Sequence, residues 1–256
     1  MTAALMRLDD LPPISLDELQ AGAALLTRVD RKYLLPTELV PLLLGELPTG
    51  VRALQIGDRR QFTYRSDYFD TPGLDAYLAA AHRRRRRGKV RVRTYLDSGD
   101  RFVEIKTRGP RGATVKHRMP YTGDPAELDP TARLYIDVTL LGAALAPCAP
   151  DLRPALTTWY QRTTLYLPRS GSRVTVDTGL RWALPDGSAL SLPGSAVVET
   201  KTASAASDAD RLLWRLGHRP CAMSKYATGL AALRPDLPTN RWCRVLRRHF
   251  PTQESR

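Results

Sequence analysis

The sequence predicts an α+β fold built around an antiparallel β-sheet, on three observations. Charged and apolar residues alternate with the two-residue period of a strand in four segments. The turn sequences Asp97-Ser98-Gly99-Asp100 and Gly109-Pro110-Arg111-Gly112 join three of those segments into a meander. Stretches with helical spacing and capping residues separate and follow the strands.

Along the chain, Ser15 and Glu18 have capping-box spacing, so a short helix follows Pro12-Pro13. Thr27–Leu35 reads as a strand, and Pro36-Thr37 opens a helix across Glu38–Leu44. Gly45–Arg60 is mostly connection. Gln61–Asp70 is a strand with aromatic residues, stopped by Thr71-Pro72-Gly73, and Leu74–Ala81 is a short helix. The arginine run Arg83–Arg87, ordinarily a solvated segment, feeds into the meander strands Arg87–Tyr95, Arg101–Arg108 and Thr114–Tyr121. Pro125–Leu145 has helical spacing and is broken by Pro147–Pro154. Ala155–Leu167 is a long strand that turns at Arg169–Gly171 into Arg173–Thr178. Arg181–Leu184 and Ala189–Leu192 flank Pro185-Asp186-Gly187 as a hairpin, and Ser195–Thr202 is the last strand. Helices follow over Ser207–Leu216, Met223–Leu233 with Ser224 as cap, and the basic Arg241–Phe250.

The alternation carries the chemistry. Lys89, Arg91 and Arg93 share one strand face; Glu104, Lys106 and Arg108 share another; Lys116 and Arg118 alternate with Val115, His117 and Met119; Glu199 and Lys201 share a fourth. Such a sheet either turns its charged face to water or closes into a barrel with a charged lumen and helices outside. Rows of like charge on adjacent strands repel and call for a counter-charge, which a polyanion supplies. Only six of the 39 basic residues are lysines, and each lies in a segment that reads as a strand or as the start of a short motif. Lysine is a compact point charge and arginine a flat fork, so a site that grips phosphate from several directions can use both.

The net charge of +13 points to an anionic partner: nucleic acid, an anionic membrane surface or a phosphate-rich small molecule. Cys148, Cys221 and Cys243 are too widely spaced for a disulfide framework or a C-x-x-C site, which fits a reducing cytosol. No signal-peptide core or membrane-spanning apolar run is present, so a soluble, cytoplasmic protein is expected. Few aromatic residues punctuate the basic strands, which argues against single-stranded nucleic acid as the specific partner, although Arg241–Arg248 could meet RNA or an acidic lipid surface.

Candidate phosphate ligands are Lys89, Arg91, Arg93, Lys106 and Lys116 on the meander, Tyr160, Arg162 and Arg173 on later strands, and Ser224-Lys225 at a helix start, where a hydroxyl, an ammonium and free backbone N–H groups coincide. Among the few acids, Glu199 beside Lys201, Glu104 beside Lys106 and Asp30 two before Lys32 read first as salt-bridge partners. The alternative is a divalent-cation ligand completed by substrate oxygens, with Glu199 the first choice.

Nine segments, in order, resemble the VTC domain, the catalytic domain of the vacuolar transporter chaperone polyphosphate polymerase and a member of the triphosphate tunnel metalloenzymes in the CYTH-like superfamily: Arg28-Val-Asp-Arg-Lys-Tyr33, Tyr68-Phe-Asp-Thr71, Lys89-Val-Arg-Val-Arg-Thr-Tyr95, Phe102-Val-Glu-Ile-Lys106, Val115-Lys-His-Arg118, Tyr160-Gln-Arg162, Val176-Asp-Thr178, Val198-Glu-Thr-Lys201 and Ser224-Lys-Tyr226. The resemblance runs from about Thr27 to Leu233. It implies an eight-stranded antiparallel β-barrel forming a tunnel, with helices outside. Lys32, Arg91, Arg93, Lys106, Lys116, Arg162, Arg173 and Lys225 would act catalytically, Lys89, Tyr160, Ser224 and Lys201 would bind substrate, and Glu199 would hold Mn²⁺ or Mg²⁺. Residues 1–26 would be an N-terminal extension, 27–235 the tunnel domain, and 236–256 a basic C-terminal helix packing on or extending from it. Where the wider superfamily often begins Glu-x-Glu-x-Lys, this chain has Arg28-Val-Asp30-Arg-Lys32, and a further basic position two before Ser224 is Ala222.

The expected activity is transfer of the ATP γ-phosphate to a growing polyphosphate chain. Hydrolysis of inorganic triphosphate or polyphosphate on the same fold, and polyphosphate binding without catalysis, are the rival readings. Contact with a membrane-protein partner is a further expectation.

Overall fold

The computed structural model describes residues 8–22, 29–108, 114–203 and 205–250. The turn expected at Gly109–Gly112 and the start of the strand at Thr27 and Arg28 lie outside the described residues.

The chain opens with β1 (Pro13–Ile14) and α1 (Leu16–Gly22). Ser15 and Glu18 form the anticipated box: each backbone N–H donates to the other's side-chain oxygen, at 2.9 and 3.2 Å. Next come β2 (Val29–Pro36), α2 (Leu39–Gly45) and β3 (Arg52–Leu54), then β4 (Gln61–Asp70) and α3 (Asp75–Ala81). The meander is β5 (Arg87–Tyr95), β6 (Arg101–Arg108) and β7 (Thr114–Pro120), followed by α4 (Pro130–Gly142). The later strands are β8 (Arg153–Leu167), β9 (Ser172–Ala183), β10 (Ala189–Leu192) and β11 (Ser195–Thr202), and the helices α5 (Asp208–Arg215), α6 (Lys225–Leu233) and α7 (Cys243–His249) close the chain. This is an α+β fold with one large antiparallel sheet. Its main path, β2-β11-β9-β8-β4-β5-β6-β7, contains eight strands, and β1, β3 and β10 branch from it. Among the described residues no hydrogen-bonded pairing of β2 with β7 closes the path.

The residues group into two compact units. The first comprises Met1–Phe62, Tyr160–Leu180 and Leu192–Ala222; the second comprises Thr63–Trp159, Arg181–Ser191 and Met223–Arg256. In the first unit the apolar strand faces, including Tyr33, Leu35, Val174, Val176 and Val198, pack against Ala209, Leu212 and Leu213 of α5 and Leu43 and Leu44 of α2. Asp210 anchors this core. It is fully buried and accepts from the Tyr33 and Thr200 hydroxyls, each at 2.6 Å, and from the Ser207 N–H and hydroxyl at the α5 cap. In the second unit Val90, Val92, Val103 and Ile105 pack against Ala132, Ile136 and Leu140 of α4. In both units the apolar face of the alternation is therefore spent on helices, which leaves the charged face for the site.

β3 and β1 were not expected, because segments of three and two residues carry no measurable period. β9 runs on to Ala183, through most of the segment expected as a separate hairpin arm, Arg181–Leu184, and β10 pairs with it. Gly179 takes φ +59°, a left-handed conformation that glycine reaches without strain.

Candidate functional site

Register fixes the charged face of the second unit. Arg87 pairs Arg108, Lys89 pairs Lys106 and Arg91 pairs Glu104 across β5 and β6, while Lys106 pairs Lys116 and Glu104 pairs Arg118 across β6 and β7. Directly opposed residues share a face. Among the described residues of β5–β7, eight cations (Arg87, Lys89, Arg91, Arg93, Lys106, Arg108, Lys116 and Arg118) thus share it with one carboxylate, Glu104. The Arg91 guanidinium donates to Glu104 Oε2 and Lys116 is ion-paired to Glu104 Oε1; Arg93 Nε lies 3.7 Å from Oε2. Burial alone would raise the Glu104 carboxyl, but Arg91, Arg93 and Lys116 together hold it far below the usual carboxylate range. Burial pushes the Lys116 ammonium down to about 8; Glu104 opposes that shift, and Arg93 and Arg91 add to it.

Aromatic rings prop these cations without neutralising them. Arg91 lies 5.6 Å and Lys89 5.8 Å from the Tyr68 ring centroid, and Arg93 lies 5.3 Å from that of Tyr64. Tyr68 also receives Arg91 Nη1 on its hydroxyl at 2.9 Å. Tyr64 and Tyr68 follow from the aromatic character of their strand, but only the β4–β5 register, Ser66 opposite Arg93 and Tyr68 opposite Arg91, shows that they share the face.

The Ser224-Lys225 motif belongs to this unit. Ser224 caps α6, its hydroxyl accepting from the Ala227 N–H at 3.3 Å. Two contacts fix the helix start: the Trp182 indole N–H donates to the Lys225 carbonyl at 2.8 Å, and the Tyr226 hydroxyl donates to Asp70 at 2.5 Å. Asp70 also accepts from the N–H groups of Ala76 and Tyr77, so one carboxylate ties the starts of α3 and α6 together.

The first unit has a more balanced face. Lys32 lies opposite Glu199 and Asp30 opposite Lys201 across β2 and β11; Thr175 lies opposite Glu199 and Arg173 opposite Lys201 across β9 and β11. Lys32 Nζ is 2.8 Å from Glu199 Oε1 and Lys201 Nζ is 3.7 Å from Oε2. Burial would raise Glu199, yet Lys201, Lys32 and Arg162 hold it well below the ordinary range. Burial would likewise lower Lys32, but Glu199 and then Asp30 raise it. Arg162 sits 5.2 Å from the buried Tyr160 ring and grips Asp177 through two hydrogen bonds of 2.6 and 2.8 Å. Arg173 Nη2 donates to the Leu19 carbonyl of α1 at 3.2 Å. Sequence pattern alone assigns Asp177 no role. Its signal was its place in the Val176-Asp-Thr178 segment, in register with Val197 on the charged face.

Among the described residues no three His, Cys, Asp or Glu side chains form a metal-binding group. The donors nevertheless fit a hard divalent cation that takes one or two protein carboxylates and completes its shell with substrate oxygens, because Glu199 offers hard oxygen held ionised by its neighbours.

A family model described as the VTC domain matches residues 27–234. The chain belongs to that family, as its nine segments led one to expect. No curated protein matches the sequence. Matching solved structures include a protein of Bacillus halodurans described as a candidate adenylate cyclase (13% identity, 77% of this chain and 94% of that one, TM-score 0.48). Another is a candidate adenylyl cyclase of Hippeastrum described as having a dominant triphosphatase activity (14% identity, 84% and 100%, TM-score 0.44). A third is a conserved hypothetical protein of Pyrococcus furiosus (12% identity, 75% and 88%, TM-score 0.40).

Proposed function

We propose that this chain is a metal-dependent polyphosphate polymerase that transfers the γ-phosphate of ATP to a growing polyphosphate chain. Supporting this reading, the described residues of β5–β7 set eight cations against one carboxylate on a single face, an excess that a polyanion would balance. Its cations are propped by Tyr64 and Tyr68, which are themselves buried and so are not platforms for stacking bases; phosphate fits this face better than nucleic acid. The reading carries with it the eight-stranded tunnel implied by the family resemblance, and a cytoplasmic enzyme that can meet a membrane-protein partner. Among the described residues no helix is long and apolar enough to cross a membrane.

Phosphoryl transfer asks a protein mainly to position its substrates and to neutralise charge on the transferred group. Arg91, Arg93, Lys106 and Lys116 would hold phosphate oxygens, and Lys89 and Ser224 would bind the neighbouring ones. Lys32, Arg162, Arg173, Lys201, Tyr160 and Lys225 complete the proposed set. Glu199 would hold Mn²⁺ or Mg²⁺, which when bound supplies charge neutralisation at phosphate oxygens. Lys32 and Lys201 keep Glu199 ionised and aimed, and no covalent nucleophile is required.

The test is to incubate the pure protein with ATP and Mn²⁺ and to separate the phosphorus products. Accumulating polyphosphate is expected. Release of orthophosphate alone would assign the same site to hydrolysis, and tight polyphosphate binding without turnover would make the chain a binding module.

A further inference from the structure

The charged face of the second unit continues past the residues that pair with Glu104. Its end row, Arg87 opposite Arg108, lines a cavity of about 200 Å³ together with Lys89 and Lys106. A fifth cation comes from beyond the matched family segment, which ends at residue 234. Arg241 lines the same cavity. Its Nη1 reaches the Ala80 carbonyl of α3 at 3.4 Å, and the next residue, Trp242, is 1% exposed and packs on Tyr77 at 5.4 Å. The C-terminal segment is thus built into this wall.

No carboxylate lines the cavity among the described residues. Glu104, two rows away, is already shared by Arg91, Arg93 and Lys116. The crowding registers in the side chains: burial, then Arg108 and Arg241, depress the Arg87 guanidinium, and burial, then Arg83 and Arg108, depress that of Arg241. Like charges gathered around a void are costly unless an anion joins them. The void is smaller than the roughly 300–1,000 Å³ of sites that enclose a whole drug-sized ligand, so it suits a few phosphate groups rather than a nucleotide.

We propose that Arg87, Arg108 and Arg241 form an accessory site for the outlying phosphates of a long polyphosphate, beyond those held by Lys89 and Lys106, and so favour long chains over triphosphate. This rests on the phosphate reading of the face. It is tested by calorimetric titration of the full chain with tripolyphosphate and with long-chain polyphosphate, using wild type, Arg241→Gln and Arg108→Ala, each first checked for folding by thermal melting. Wild type should bind the long chain more tightly. Each variant should lose about tenfold in long-chain affinity, the worth of one hydrogen bond to a charged group, while tripolyphosphate affinity stays within about twofold. The salt dependence of long-chain binding should also become shallower by about one counter-ion per cation removed. Equal losses for both ligands, or no loss for either, overturn the accessory site while leaving the phosphate reading intact. A wild type that binds neither ligand overturns both. Orthophosphate that binds wild type as tightly as the long chain does, and loses that affinity in Arg241→Gln, would assign the cavity to free phosphate and overturn the proposal.

Discussion

Lys32 and Glu199 face each other across the β2–β11 ladder with 2.8 Å between ammonium and carboxylate, and Lys201 attends the second carboxylate oxygen at 3.7 Å. Glu199 is therefore both an ion-pair partner and the candidate cation ligand, and one substitution separates the roles. Glu199→Gln keeps shape and hydrogen-bonding capacity but removes the charge. Metal-dependent turnover should fall by more than about a hundredfold, since a metal ion's charge stabilisation is worth several kcal/mol. Polyphosphate affinity should hold or rise, because a negative charge leaves a cationic surface. Product analysis and calorimetry check this; joint loss of folding and binding would make Glu199 a structural partner alone.

Glu104 makes the opposite prediction about stability. It is 3% exposed and is the one carboxylate that the described residues of β5–β7 place on its face, shared by Arg91, Arg93 and Lys116. Removing one member of a buried ionic cluster typically costs about 3–5 kcal/mol. In a chain of this size Glu104→Gln should lower the melting temperature by on the order of 10 °C. Added polyphosphate should recover most of that loss, since it replaces the missing negative charge. A melting temperature lowered equally with and without polyphosphate would show that the anion does not reach these arginines.

Lys116 provides a pH signature. Its ammonium titrates at about 8 in the folded chain, against 10.5 in an unperturbed lysine. As pH rises through 8 the native side chain loses its charge, so polyphosphate affinity should fall. Stability should move the other way. Between about 8 and 10.5 the unfolded chain binds the proton that the native chain has released, so this group's unfavourable contribution, fully present below 8, is progressively relieved. Lys116→Arg, charged throughout, should flatten the affinity profile. An affinity profile identical in wild type and variant would remove Lys116 from the binding set.

Much of this was legible in sequence because it depends on local period and caps. The aromatic residues and turn stop of Gln61–Asp70, and the alternation in Arg101–Arg108 and Ser195–Thr202, gave strand bounds that match β4, β6 and β11. Ser15–Glu18 and Ser224 marked two helix starts and Ser207 or Asp208 a third, which the structure gives to Ser207, since capping is a short-range bond between residues three apart. Pairing between distant strands was not legible. The bond of Arg162 to Asp177, the aromatic rings beneath Arg91 and Arg93, and the arrival of Arg241 beside Arg87 all follow from register and packing, which no single segment encodes. Glu104 was read as a salt-bridge partner, and so it is. That it serves three cations at once needed the neighbouring strands.

Gly229 tests how the helix carrying Ser224 and Lys225 is held. A Cβ on Gly229 would fall 2.1 Å from the Trp182 ring, which also binds the Lys225 carbonyl. Gly229→Ala must therefore push the indole or the helix aside, at about 1–3 kcal/mol. Polyphosphate affinity should weaken with it, because the displaced turn carries Ser224. Trp182→Leu should relieve the clash, so Gly229→Ala should cost much less in that background. Equal costs in both backgrounds would show that the close approach does not constrain α6.

Lysine against arginine finally separates the site from the surface. Lys106 lies between Lys89 and Lys116 in the register of the charged face, whereas Arg247 and Arg248 occupy the exposed last turn of α7. A cation that meets a partly desolvated polyanion acts through short charge-assisted hydrogen bonds, while an exposed one acts through a screened field. Lys106→Ala should therefore weaken polyphosphate binding by at least about 1.5 kcal/mol, roughly tenfold. Replacing Arg247 and Arg248 together by alanine should cost less, although it removes twice the charge, and its effect should vanish first as salt is raised. Binding constants at two or more salt concentrations decide the matter. A larger loss from the surface pair at moderate salt would make the chain a surface polyanion binder and end the enzymatic reading.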